Sequence, residues 1–304
     1  MRLLPRRGMS RRRDDHSRLQ SRRPARHRHQ GGSPMSKIGL CLSGGGSRGA
    51  YQIGVAKALE ELGLLGKINA YAGTSIGSVN AALLATMTPD EAMKLWLNTS
   101  VDEIKSTEGT FRRLMQERIA VVDKGIYNIA PLEKRLHAYL DPNAIKDKEI
   151  YITLSRGGAS NESIIGLMKS LYRHFIKHET NVLYPNIALH PFEEAVRMIL
   201  ASCSIPVAFP AVIDGERKYY DGGLYDNVPV KPLFDNGCDI IVVVHLFGLE
   251  FIEQSRYPNC CFHEIRPSVP LGWLLNFDPA KAEKLYHIGH DDAIAHFRNH
   301  PAEF

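Results

Sequence analysis

Gly73-Thr74-Ser75-Ile76-Gly77 forms a G-x-S-x-G pattern, and Ser75 is the side chain best framed to act as a nucleophile. Before it, Lys67–Ala72 reads as a short strand. After it, Ile76–Ala85 reads as a helix of small residues. That context says more than the pattern, which is common by chance. A nucleophile elbow needs a strand, a sharp turn and a helix, with glycines (here Gly73 and Gly77) flanking the serine so that the two backbones approach closely. The turn lifts the hydroxyl off the sheet edge, and the helix N-terminus beneath it favours developing negative charge. The bland alternative is a Gly/Ser turn that merely starts a helix.

A second pattern lies upstream. Ser43-Gly44-Gly45-Gly46-Ser47-Arg48-Gly49 joins a predicted strand, Ile38–Leu42, to a predicted helix from about Ala50 to Leu62. Gly44, Gly46 and Gly49 fit G-x-G-x-x-G, the dinucleotide fingerprint, which requires an acid at the end of the second strand. Here that strand ends in Tyr71-Ala72 and runs into the serine turn, while Glu60 and Glu61 fall inside the helix. No G-K-[ST] follows, so a phosphate-binding P-loop fails as well. What the loop offers is a row of backbone N–H groups at a helix start, the material of an oxyanion hole built from Gly44, Gly45 and Gly46.

A serine hydroxyl is a poor nucleophile until a base takes its proton. Asp221 is the sharpest candidate: it ends a predicted strand, Lys218–Tyr220, and Gly222 and Gly223 behind it leave the carboxylate uncovered. Alone, Asp-Gly-Gly is an ordinary turn signal. A carboxylate with an ordinary pKa near ~3.9 is a weak base toward an alcohol. Burial would raise it, and a hydrogen bond to Ser75 would align the transfer. The competing arrangement is a Ser-His-Asp triad, which needs a late histidine. His245 and His263 are late enough, but in a chain with 13 histidines that is uninformative. The Ser75–Asp221 dyad is the preferred reading.

GGGSRG after the first strand, GTSIG after the second and DGGLYDNVPV far downstream, with ASCSIPVAFPAV ahead of the aspartate, occur in that order. Together they resemble the patatin-like phospholipase family over roughly Lys37–Leu246. The resemblance implies an α/β fold of three layers (αβα) around a central, mostly parallel sheet. It implies Ser75 as nucleophile, Asp221 as base and the Gly44–Gly49 loop as oxyanion hole, with hydrolysis of acyl esters of lipids and neither metal nor cofactor. Arg48 either binds loop carbonyls or steadies a lipid phosphate, the structural role being favoured. Two other function classes remain for comparison: a non-catalytic regulatory or interaction protein on the same scaffold, and a nucleotide-binding module.

The elements that must position these residues follow from composition and periodicity. At 304 residues, with 44% hydrophobic and 23% charged content, the chain suits one large α/β domain. Its charge is uneven. Residues 1–30 carry eleven arginines and two acids, so of the formal +5 the first thirty residues hold +9 and the remainder is close to −4. The body therefore has no electrostatic case for nucleic acid. Residues 1–36 are expected to be a disordered Arg-rich tail or an upstream mis-assigned start, and 37–304 the hydrolase domain, with a helical cap around 104–190. Thr88-Pro89-Asp90-Glu91 is a helix start. Further helices are expected at Phe111–Tyr139 (interrupted at Lys124–Ile129), Asn161–Lys177, Pro191–Cys203 and Pro279–Asn299, and strands at Glu149–Ser155 and Asp239–Leu246. Ile205–Val212 is expected as an irregular pocket wall. The five cysteines read as reduced structural thiols. With no signal peptide or membrane-spanning run, a cytoplasmic location is expected, with peripheral membrane contact left open.

Overall fold

The computed structural model describes residues 36–98, 129–159, 181–205, 212–214, 217–248 and 250–301. Its centre is a sheet of five parallel strands in the order β3-β2-β1-β8-β9. These are β1 (Ile38–Leu42), β2 (Ile68–Gly73), β3 (Glu149–Ile152), β8 (Ile240–Val244) and β9 (Cys261–Ile265). β1 and β8 are buried along their whole length. That is why they read as unbroken apolar runs: a parallel sheet is covered on both faces. Alternation along each strand divides the residues between two cores. Leu40, Leu42, Val242 and Val244 face one, and Cys41, Ile241 and Val243 face the other.

Helices α1 (Ala50–Glu61), α2 (Ile76–Thr86) and α3 (Pro89–Leu97) and the closing helix α7 (Pro279–Asn299) cover the larger core, while α6 (Val230–Asp235) covers the smaller. The chain is therefore the expected three-layer α/β fold. The start of α3 is a full capping box: the Thr88 side chain accepts from the Glu91 N–H, and Glu91 accepts from the Thr88 N–H.

A second, antiparallel sheet runs in the order β5-β4-β7-β6. It consists of β4 (Leu154–Ala159), β5 (Val182–Leu183), β6 (Val212–Asp214) and β7 (Arg217–Asp221), with α5 (Phe192–Ser202) packed on it. This corrects the single strand expected at Glu149–Ser155. The segment breaks at Thr153, and its halves belong to different sheets. The expected cap is described only in part. Within 104–190, residues 104–128 and 160–180 lie outside the described residues, as does the amphipathic Asn161–Lys177. The described remainder supplies α4 (Ala130–Tyr139) and strands of both sheets. Residues 1–35 and most of Ile205–Val212 are likewise outside.

Cys41, Cys203 and Cys238 are buried, and all five thiols are free. Among the described residues, no helix is long and apolar enough to cross a membrane.

Candidate active site

The loops after β1, β2, β8 and β9 gather at the carboxyl end of the parallel sheet, where open α/β sheets bind ligands. Ser75, with Thr74, lies between β2 and α2. Its backbone stands at φ 54 and ψ −126. A non-glycine residue at positive φ is strained by ~1–3 kcal/mol and persists only where its surroundings hold it. What holds it is visible. The Ser75 N–H donates to Ser202 Oγ at 2.9 Å, and Ser202 Oγ donates to the Thr153 carbonyl at 2.8 Å. The Ser78 hydroxyl and N–H both donate to the Ser75 carbonyl, at 2.6 and 2.8 Å. The flanking glycines are there for close approach: a Cβ on Gly73 would lie 2.1 Å from the Gly77 carbonyl oxygen, and one on Gly77 2.2 Å from that of Leu42.

Asp221 ends β7 and is 5% exposed, as is Ser75. Its Oδ1 accepts the Gly223 N–H at 2.7 Å, and its Oδ2 is buried with no well-formed hydrogen bond among the described residues. Burial pushes its pKa up to about 6, against the pull of the neighbouring Ser75 hydroxyl and the Gly223 N–H. The serine is thus near enough to stabilise the carboxylate, although Oδ2 has no well-formed hydrogen bond. Contacts of this kind are commonly loose without substrate. Gly222 packs against Thr153, and the Ser155 hydroxyl donates to its carbonyl at 3.3 Å.

The glycine loop lies against the serine: a Cβ on Gly44 would come 3.2 Å from that of Ser75. Gly44 does not fit the expected trio of free amides. Its N–H donates to the Asn227 carbonyl at 3.2 Å, and the Asn227 side chain returns a bond to the Gly44 carbonyl at 3.3 Å. The N–H groups of Gly45 and Gly46 have no acceptor among the described residues. Gly46 stands at φ 56 with the Leu274 carbonyl where a Cβ would be. Gly49 abuts Trp96 and Ile76. Arg48 donates to the Gly272 carbonyl at 2.9 Å, and its guanidinium lies 4.3 Å from the Phe247 ring centroid. Arg48 thus binds carbonyls of the loops after β8 and β9.

The sequence model of the patatin-like phospholipase family matches residues 40–234, from within β1 to α6. The chain belongs to that family. Among curated relatives it is 27% identical to a lysophospholipase NTE1 of Cryptococcus neoformans over 73% of its own length and 12% of that protein's. It is 29% identical to an uncharacterised NTE family protein of Mycobacterium tuberculosis over 72% of its length and 51% of that one's. The chain therefore spans about an eighth of the fungal relative and about half of the mycobacterial one. Among solved structures, VipD from Legionella pneumophila overlaps with a TM-score of 0.47 at 14% identity, over 88% of this chain and 68% of that one.

In this patatin-like chain the two late histidines are engaged by other groups. His245 is fully buried, with Nε2 2.9 Å from Glu264 Oε2 and Nδ1 3.4 Å from Glu250 Oε2. His263 packs against His296 and Phe297 at the far side of β9. Among the described residues, no group of three or more His, Cys, Asp or Glu side chains is arranged to hold a metal ion. Sequence reasoning missed Ser202, Thr153 and Asn227. Two of them carried a signal: Ser202 lies within ASCSIPVAFPAV, and Asn227 lies six residues after Asp221 within DGGLYDNVPV.

Proposed function

We propose that this chain is a serine lipid acyl hydrolase in which Ser75 is the nucleophile and Asp221 the base. One observation carries the reading: a buried carboxylate with a raised pKa, its Oδ2 without a well-formed hydrogen bond among the described residues, stands beside a serine held in a strained turn. Asp221 Oδ2 takes the Ser75 proton as the serine oxygen attacks the ester carbonyl carbon. The oxygen of the resulting tetrahedral intermediate accepts from the Gly45 and Gly46 amides, and Asn227 keeps Gly44, and with it this loop, in place. Loss of one such donor typically costs ~3 kcal/mol of barrier. On collapse the alcohol leaves with the proton from Asp221, and an acyl-enzyme remains on Ser75. Water, deprotonated by Asp221, attacks the acyl carbon; the acid is released as the ester bond to Ser75 breaks, and Asp221 returns the proton to the Ser75 oxygen. No step calls on a metal or cofactor.

The substrate class is an acyl ester of a glycerophospholipid, with lysophospholipid the first to try given the name of the fungal relatives. The test is hydrolysis of short p-nitrophenyl esters and of a phospholipid and lysophospholipid panel by wild type, Ser75→Ala and Asp221→Asn. Labelling of Ser75 by a fluorophosphonate, read by mass spectrometry, runs alongside. Activity in wild type that falls by orders of magnitude in both folded variants supports the dyad. An unlabelled Ser75 and silent wild type would leave the non-catalytic reading. Activity retained in Asp221→Asn alone would return the base to a histidine.

A further inference from the structure

Of the seven large hydrophobic side chains exposed among the described residues, Phe251, Val269 and Trp273 lie in the loops that follow β8 and β9. Those loops stand at the same end of the sheet as Ser75. The segment 270–277, PLGWLLNF, has no charged residue. Trp273 is 68% exposed, and Leu274 and Leu275 beside it are half-buried.

An exposed tryptophan on a slack loop would mean little, but this loop is fastened. The Gly272 carbonyl accepts from Arg48 Nε at 2.9 Å. The Trp273 carbonyl accepts from Lys281 Nζ at 2.6 Å and from the Ser47 hydroxyl at 3.1 Å. The Leu274 carbonyl accepts from the Ser47 N–H at 2.7 Å. Three successive carbonyls are thus tied inward to the glycine loop and to α7, while the indole stays exposed beside that loop.

We propose that this loop, with Trp273 at its tip, is the surface by which the protein docks on a zwitterionic phospholipid bilayer. The partner follows from the hydrolase reading above, on which the inference rests: a lipid ester presented in a membrane must reach Ser75 from the surface that surrounds the site. A tryptophan is suited to the lipid–water boundary because its ring is apolar and its N–H stays hydrated. A stable protein partner would need ~800 Å² on each side, more than the tip of one short loop presents. A membrane needs only insertion of a few apolar side chains.

The chain has two tryptophans, and Trp96 is buried, so any change in emission on adding vesicles reports Trp273. The full chain carrying Ser75→Ala, which binds without turnover, is mixed with phosphatidylcholine vesicles. Such vesicles give the arginines of residues 1–30 no anionic surface. The expected result is a blue shift, protection from acrylamide quenching and co-sedimentation. Adding Trp273→Ala should weaken co-sedimentation by about tenfold or more, and Trp273→Phe should restore most of it. In the active protein, Trp273→Ala should lower the ratio of vesicle to monomeric-ester hydrolysis. Emission unmoved by vesicles, or equal sedimentation with and without Trp273, would overturn the proposal. A blue shift that follows protein concentration without vesicles would overturn it in favour of self-association. Failure of the hydrolase reading is separate, because it shows as absent ester turnover whether or not vesicles are bound.

Discussion

Replacing Asp221 with asparagine should make the protein more resistant to unfolding at neutral pH relative to acid pH, while abolishing hydrolysis. The carboxyl is buried, and its pKa is pushed from 3.8 up to about 6. In the unfolded chain it releases its proton near ~4; in the folded chain, only near 6. Between those values the folded state holds more protons, so stability falls as pH rises through that window and is level above it. A shift of roughly two units corresponds to about 3 kcal/mol, of which about 1.4 kcal/mol falls between pH ~5 and ~8. The amide of Asp221→Asn does not titrate. Its NH₂ would stand where Oδ2 now lacks a well-formed hydrogen bond among the described residues, at a cost of ~1–3 kcal/mol that is the same at every pH. The stability of the variant minus that of wild type should therefore rise by about 1.4 kcal/mol over that interval, whatever its starting value. Urea unfolding of both proteins at the two pH values measures it. The same group predicts a wild-type kcat/KM that climbs with pH through about 6. A pH-independent difference in stability, or an acid limb far below 5, would refute a desolvated Asp221 and the base role built on it.

Three further substitutions separate the parts of the site. Gly77→Ala places a methyl 2.2 Å from the Leu42 carbonyl oxygen and should destabilise by ~2–3 kcal/mol or more, read as a lowered Tm. Asn227→Ala removes the side-chain half of the clamp on Gly44; kcat should fall by ~10-fold or more with KM little changed, as expected when only transition-state contacts loosen. His245→Gln separates the dyad from a triad. Glu250 and Glu264 lose a partner, so the Tm should drop, while hydrolysis should fall far less than in Ser75→Ala.

Features that depend on local pattern were legible in the sequence. The strand, turn and helix around Ser75 are marked by Gly73 and Gly77, and the backbone contacts at both glycines explain why no larger residue stands there. β1 and β8 announce themselves as apolar runs because both faces are covered. Thr88 and Glu91 announce the start of α3 because capping is a contact between near neighbours. β9 was missed because CFHEI is an edge strand of mixed polarity, with Cys261 exposed and only His263 and Ile265 buried. That the Gly44 amide is already bonded was hidden for a similar reason. Which amides stay free depends on Asn227, 183 positions away from Gly44, and no local pattern encodes that.

Least legible was the joint that brings the two halves of the site together. The proposed nucleophile follows a strand of the parallel sheet and the proposed base ends one of the antiparallel sheet, and the chain crosses between them at Thr153. That residue touches the segments on both sides. Its N–H donates to the Gly73 carbonyl at 3.0 Å, its hydroxyl accepts from that of Thr74 at 2.8 Å, its carbonyl accepts from Ser202, and Gly222 packs on it. A threonine in EIYITLS looks like the middle of a strand, since its β propensity is high. The break is set instead by what lies on either side: Ile152 pairs with Gly73 beside the serine, while Leu154 pairs with Asp221 itself. Two residues on the same short segment thus fix the registers of both sheets, and with them the distance between carboxylate and hydroxyl. The separation of Ser75 from Asp221 is in this sense a backbone property, insensitive to surface changes and sensitive to any insertion between Ile152 and Leu154.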